Sequence, residues 1–330
     1  MAQGSPPVPR ARAAAPARRS DVLFQSALLL TFAAAFLLLS LFAPGFFSLA
    51  NQLNILRQAA PILVVAIGMT LVITIGGVDL SVGSGLALTA VLSATMLKAG
   101  WNPWAAVVVV CALGLLAGSI NGYFVAYQRI PAFIVTLASL SVLRGAAQLI
   151  TKGYSIPISP DSAFVTLGRG LIGPIPVPAL VAALAVAGGY VLLHHTRFGL
   201  HVTGLGSNEE AVRRAGVSVR RIKLAVYMLS GLVFGVGGMI TAARLASGSS
   251  YTGLGFELQV IAAVVVGGTN LFGGEGRIIG TVIGTLLLAS IANGLILMDV
   301  SPFYLQIIEG FIILLAIWLN LILGGRRDAR

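Results

Sequence analysis

The stretch Ile62-Leu63-Val64-Val65-Ala66-Ile67-Gly68-Met69-Thr70-Leu71-Val72-Ile73-Thr74-Ile75-Gly76-Gly77-Val78-Asp79-Leu80-Ser81-Val82-Gly83 decides the fold. Its first part belongs to an apolar block, 55–75, as long as the ~20 residues a helix needs to cross a bilayer. A second apolar block, 80–97, begins almost at once. Between them stand two glycines and one carboxylate, Asp79. An acid placed there must face protein or water rather than lipid. Glycine lets the backbone turn and approach closely. The pattern is that of a helix broken within a membrane.

The rest of the chain agrees. Of 330 residues, 57% are hydrophobic and only 9% charged, against roughly a quarter charged in a soluble domain. Such a chain lacks the charge to dress a soluble surface. Glycine is abundant, at 40 residues, as in packed transmembrane helices. The net charge of +11 is no nucleic-acid signal, because the basic residues flank apolar blocks, where they set orientation. The one cysteine, Cys111, lies in an apolar run and reads as a buried, inert thiol.

Working outward gives ten apolar blocks: 22–42, 55–75, 80–97, 104–126, 132–150, 177–195, 223–243, 257–273, 278–297 and 303–323. The fold class expected is an all-α membrane protein of about ten transmembrane helices. Residues 1–20 read as a disordered basic cytoplasmic tail, 21–325 as one transmembrane domain and 326–330 as a short cytoplasmic tail. With both termini inside, fifteen Lys and Arg fall on inner segments and six on outer ones. That bias predicts an N-in/C-in topology. Two loops exceed a turn: a proline-rich outer one, 151–176, and a charged inner one, 196–222.

The inner loop holds Gly206-Ser207-Asn208-Glu209-Glu210-Ala211-Val212-Arg213-Arg214-Ala215-Gly216. Ser207 and Glu210 have capping-box spacing. Acids at the start and Arg213 and Arg214 at the end favour the helix dipole. Glu209 with Arg213 and Glu210 with Arg214 are i,i+4 pairs, and Gly216 suits a C-terminal stop. A helix of about eight residues is expected, too short to stand alone in water. Its small apolar side, Ala211, Val212 and Ala215, suits a shallow groove; the plain alternative is a solvated surface helix.

Residues 76–85 align without gaps with 267–276, pairing Gly76 with Gly267, Asp79 with Asn270 and Gly83 with Gly274. For Asp79 the plain structural role is an N-cap of the next helix; the functional one is contact with a solute at the break. Candidate pathway residues are Asp79, Ser81, Asn121, Thr136, Asn270 and Asn293, whose ordinary alternative is interhelical hydrogen bonding. Glu309, inside the last block, should face protein or water.

Other chemistries lack their residues. There is no G-x-x-x-x-G-K-[ST] phosphate loop, so this chain is not expected to bind ATP in that way. No H-E-x-x-H is present, and His194, His195 and His201 read as interfacial packing rather than metal ligands. No catalytic constellation stands out, and no string of buried acids and histidines suggests a proton pump.

Gly76-Gly77-Val78-Asp79-Leu80-Ser81-Val82-Gly83 resembles the signature of ribose/xylose-type permeases of bacterial ABC sugar importers. Arg129-Ile130-Pro131-Ala132-Phe133-Ile134-Val135-Thr136-Leu137, the 204–216 segment, Ala262 to Thr269 and Arg277 to Thr281 fit the same family. Glu309 stands where that family more often has Lys. The resemblance implies a permease subunit in the bacterial inner membrane, paired with a second permease, identical or paralogous. A cytoplasmic ATP-binding subunit would carry the ATP and Mg, and a periplasmic or lipid-anchored protein would deliver the sugar. Residues 207–216 would then be the coupling helix: Ser207, Asn208, Glu209, Glu210, Ala211, Arg213, Arg214 and Gly216. The permease itself would bind no cofactor and catalyse no reaction, and a neutral polyol suits a path with few charges. An ion-coupled secondary transporter is the alternative reading, and an intramembrane enzyme a weaker third.

Overall fold

The computed structural model describes residues 17–301 and, beyond them, 304, 307, 308, 310, 311 and 314. The helices are α1 (Ala17–Phe42), α2 (Leu49–Thr74), α3 (Val82–Lys98), α4 (Pro103–Ala126), α5 (Ala132–Thr151), α6 (Thr166–Arg169), α7 (Val177–His194), α8 (Arg197–Ser207), α9 (Glu209–Arg214), α10 (Val219–Leu245), α11 (Phe256–Val266) and α12 (Ile278–Leu297). Two short antiparallel ladders complete the described chain. β1 (Ile156–Pro157) pairs with β4 (Ser247–Gly248), and β2 (Leu171–Ile172) with β3 (Ile175–Pro176). The protein is an all-α membrane protein.

Among the described residues six helices, α2, α4, α5, α7, α10 and α12, are long and apolar enough to cross a membrane. Residues 26–42, α3 and α11 are shorter apolar helices. The tenth expected block, 303–323, lies largely outside the described residues, as do Glu309 and residues 1–16 and 326–330. α1 starts at Ala17, inside the stretch assigned to the tail. The expected span 257–273 is shortened to the eleven residues of α11, about 16 Å at 1.5 Å per residue. Its second half turns out of the helix at Gly267 and Gly268. The inner loop holds a helix the sequence reading omitted, α8, which is N-capped by Thr196 through its Oγ1 and the Gly199 amide at 3.2 Å.

Local chemistry sets the other starts. Ser48 Oγ accepts from the Asn51 amide at 3.3 Å to open α2. Asn102 accepts from Trp104 at 2.9 Å, and Pro103 takes the first helical position, where its missing N–H costs nothing.

α2 and α10 form the centre. The apolar window of α2 is 78% buried, that of α5 only 17%. Peripheral helices therefore turn apolar side chains such as Val108, Leu116 and Leu149 outward, as a lipid-facing surface requires. α4 and α10 meet in a close backbone contact. Gly118 and Gly231 face each other so closely that a Cβ on Gly231 would sit 2.8 Å from the Gly118 Cα and 2.9 Å from its amide nitrogen. Gly114 and Gly122 extend this contact at four-residue spacing, the arrangement by which transmembrane backbones approach.

Gly231→Ala should therefore destabilise by about 1–3 kcal/mol through overpacking, and Gly231→Leu should prevent folding. Gly188, in α7, has nothing within 4 Å of its Cβ position, so Gly188→Ala serves as a control with no loss. Thermal unfolding of the detergent-purified protein reads this. Equal midpoints for Gly231→Ala and wild type would show that the α4–α10 approach is not tight.

Candidate functional site

The break between α2 and α3 is a buried polar knot. Asp79 is fully buried. Its Oδ1 accepts from the Ser81 amide at 3.0 Å and from Ser81 Oγ at 2.5 Å, and its Oδ2 accepts from Ser230 Oγ of α10 at 2.7 Å. Ser81 Oγ in turn accepts from Asn121 Nδ2 of α4 at 3.0 Å. Asn121 Oδ1 accepts from Ser139 Oγ of α5. Thr136, also on α5, donates to the Val78 carbonyl at 3.1 Å. Donors and acceptors match along the whole chain of bonds, so three helices and the break are tied through one carboxylate.

Four of the six expected pathway residues, Asp79, Ser81, Asn121 and Thr136, thus meet at this knot, joined by Ser139 and Ser230, which the sequence reading passed over. Asp79 does not cap α3 directly. Ser81 takes the N-cap position, and Asp79 holds the Ser81 amide through a side-chain turn. Asn270 and Asn293 lie elsewhere. Asn270 closes its own loop, accepting from the Phe272 amide at 3.0 Å. Asn293 on α12 accepts from Asn51 Nδ2 at 2.8 Å, near the opposite end of α2 from the break.

The two aligned glycine-rich segments pack together. The Gly274 amide donates to the Thr74 carbonyl at 2.9 Å, the last carbonyl of α2. Gly206, in the last turn of α8, lies against the same carbonyl and the Gly274 amide. The 267–277 loop therefore bridges the break to the charged inner loop.

That loop carries α9, whose six residues are all at least partly exposed. Its cap is Asn208, not Ser207: Asn208 Oδ1 accepts from the Ala211 amide at 2.9 Å. Ser207 ends α8 and donates to the Thr203 carbonyl at 3.0 Å. Glu210 pairs with Arg213 and, at 2.9 Å, with Arg214. The expected Glu209–Arg213 pair is replaced by Glu209 with Lys223 of α10, at 2.7 Å. Gly216 has φ +81°, the left-handed stop expected of it. Val212 turns inward, packing beside the core that includes Leu205 and Val219, while Ala211 and Ala215 stay exposed. His194 and His195 rest on the Tyr190 ring.

Two cavities flank these elements. One, about 550 Å³, is lined by the 75–77 break, residues 125–126 and 129–132, Glu209, Arg213, Arg220, Lys223 and Tyr227. The other, about 340 Å³, lies between α2, α10, α11 and α12 at the far end of α10. They share no lining residue.

Crossing helices, a helix broken around a satisfied carboxylate and a short exposed helix on a charged loop describe a transport permease. The family described as branched-chain amino acid transport system/permease component matches residues 51–317. The ribose import permease protein RbsC of Escherichia coli K12 is 41% identical over 288 residues, covering 85% of this chain and 88% of the relative. That of Bacillus subtilis is 42% identical, over 86% and 88%. The xylose transport system permease protein XylH of Escherichia coli K12 is 34% identical, over 84% and 86%. No solved structure matches the chain.

The chain belongs to the ABC importer permeases, in their ribose/xylose-type family. It is an integral protein of the bacterial cell (inner) membrane.

Asp79→Ala would leave three buried donors, Ser81 N–H, Ser81 O–H and Ser230 O–H, without their acceptor. Each orphaned donor costs about 1–3 kcal/mol, but the hydrophobic spans remain. The variant should reach the membrane at normal levels while its thermal midpoint and its transport both fall. Wild-type transport by Asp79→Ala would remove Asp79 from both roles.

Proposed function

We propose that this chain is the membrane subunit of an ATP-driven importer for a neutral monosaccharide such as ribose or xylose. The observation that carries this is 34–42% identity, over more than four-fifths of both chains, to ribose and xylose permeases. The chain would provide the path by alternating access and bind no nucleotide. A separate cytoplasmic subunit would hold ATP and Mg, and a periplasmic or lipid-anchored protein would deliver the sugar. A second permease copy, identical or paralogous, would complete the membrane part.

The ten-span, N-in/C-in arrangement belongs to this proposal. Residues assigned to the inner side, Arg129, Arg213, Arg220 and Lys223, line one cavity together. Residues assigned to the outer side also gather. Arg144 donates to the carbonyls of Ser250, Thr252 and Gly253, and Arg169 to that of Arg244. Both observations support a common inner end and a common outer end.

α9 is the proposed docking helix. With the residues that flank it, it presents Ser207, Asn208, Glu209, Glu210, Ala211, Arg213, Arg214 and Gly216 at one exposed corner. The Glu209–Lys223 pair links that corner to α10, a helix of 27 residues. An exposed ion pair adds roughly 0–1 kcal/mol at most, so its contribution is orientation rather than stability.

The test is uptake of radiolabelled ribose and xylose by cells expressing the chain with its ATPase and binding protein. Uptake should stop on ATP depletion; uptake that survives it and collapses with the ion gradient would establish the secondary-transporter alternative instead. Gly216→Val, strained at positive φ by of order 1–3 kcal/mol, should express normally, capture less ATPase in pull-downs and lose uptake. Glu209→Lys should do the same, and Glu209→Lys with Lys223→Glu should recover capture. If both single variants dock and import as wild type does, α9 is not the docking element.

A further inference from the structure

The 340 Å³ cavity holds none of the residues at the Asp79 knot, yet its lining is chemically specific. It is formed by the N-terminal half of α2, the last turns of α10, the start of α11 and the C-terminal half of α12. Those ends share the side where Arg144 and Arg169 tie down their loops. The volume lies at the small end of ligand sites, which run from about 300 to 1,000 Å³. One sugar ring suits it better than a larger solute.

Four helices supply its polar side chains: Gln58 of α2, Thr241 and Arg244 of α10, Gln259 of α11, and Thr285 and Asn293 of α12. Thr241 donates to the Gly237 carbonyl and Thr285 to that of Thr281, each at 2.8 Å. With their protons so committed, both hydroxyl oxygens retain lone pairs to accept from a ligand. Asn293 spends its oxygen on Asn51, which leaves its NH2 to donate. Arg244 Nε is buried without a hydrogen-bond partner among the described residues. A buried unpaired donor costs about 1–3 kcal/mol, and a ligand oxygen removes that cost. These acceptors and donors, with the amides of Gln58 and Gln259 in the same lining, match hydroxyl groups, which give and take hydrogen bonds at once. Among the described residues no Asp or Glu lines the cavity, and Arg244 is the one charged group, so a cation is disfavoured there. Leu86 and Phe256 line it too and belong to the apolar cluster that continues to Ile73 and Val82 beside the break.

We propose that this outer cavity is the membrane binding station for a single neutral sugar ring, held by Thr241, Arg244, Thr285 and Asn293. The assignment rests on the sugar-importer reading above and places the sugar away from Asp79.

The experiment uses the complete importer in right-side-out membrane vesicles. Cys111→Ala removes the one cysteine, and Thr285→Cys or, separately, Ala292→Cys places a reporter on the lining. Modification by a small membrane-impermeant thiosulfonate is timed with and without ribose, xylose and, as an anion, gluconate. Ribose or xylose at ten times its Kd should slow modification about tenfold, since occupancy lowers the free site by 1 + [L]/Kd, and gluconate should not. Equal rates with and without neutral sugar at both reporters, in vesicles that still import, overturn the cavity assignment and leave the importer reading standing. Protection by gluconate alone overturns the neutral-ligand assignment. No modification at either position shows that the cavity is closed to the outside and overturns it as well. If the cysteine-free parent imports no neutral monosaccharide, the importer reading fails and takes this assignment with it.

Discussion

A helix interrupted within a bilayer leaves carbonyls and amides with no water to turn to, and each must find its partner inside the protein. The break after α2 meets that demand with partners drawn from almost every neighbour. The Gly274 amide takes the Thr74 carbonyl, Thr136 of α5 takes that of Val78, and Asp79 takes the Ser81 amide. Ser230 of α10 then fills the second carboxylate oxygen. Satisfying one break thereby fixes the positions of α4, α5, α10 and the 267–277 loop. Apolar attraction alone would not do this, because lipid is as apolar as a helix surface.

α10 carries the consequences through the molecule. Lys223 near its start holds Glu209, Ser230 holds Asp79, and Thr241 and Arg244 line the outer cavity. Lys223 and Thr241 are separated by about 27 Å of helix at 1.5 Å per residue. The glycine contact with α4 removes the freedom to slide past that neighbour, since ridges that would pass side chain over side chain are replaced by touching backbone. A tilt at the α9 end therefore moves the far end with it, whereas a screw motion of α10 alone does not fit the packing.

What the sequence made legible follows from which physics is local. Block lengths could be read because bilayer thickness sets them, and Asp79 stood out because a charge between apolar blocks is costly. The alignment of 76–85 with 267–276 was visible, and the two segments do pack together, but its best match hid a difference. Asp79 bonds outward to Ser230, whereas Asn270 closes its own turn. Spacing alone makes Ser207 a cap because its competing acceptor, the Thr203 carbonyl, exists only once α8 has formed. α8 itself was missed because Gly199, Thr203, Gly204 and Gly206 blur its apolar period. Glu209 chose Lys223 over Arg213 for a tertiary reason no spacing rule contains. The outer cavity was unreadable for the same reason: Thr241 and Thr285 look like ordinary helix threonines bonded one turn back, and only the convergence of four helices makes them neighbours.

The packing also constrains how the proposed alternating access would proceed. Between the cavities lie two kinds of barrier, the Asp79 knot and the apolar cluster of Met69, Leu86, Phe256, Val260 and Val264. Opening the knot would orphan several buried donors at once, each at about 1–3 kcal/mol. Parting apolar side chains forfeits dispersion contacts that are individually small, and new neighbours replace them on the other side. The cheaper route runs through the cluster. Of the elements that build it, α11 is the shortest, eleven residues between Gly253 and Gly255 on one side and Gly268, Gly273 and Gly274 on the other, all at positive φ. Those glycines accept backbone rotations that would strain other residues. A short helix hinged at both ends can shift against α2 and α3 while the knot behind it stays closed, so the carboxylate that defines the fold need not be broken for the path to open.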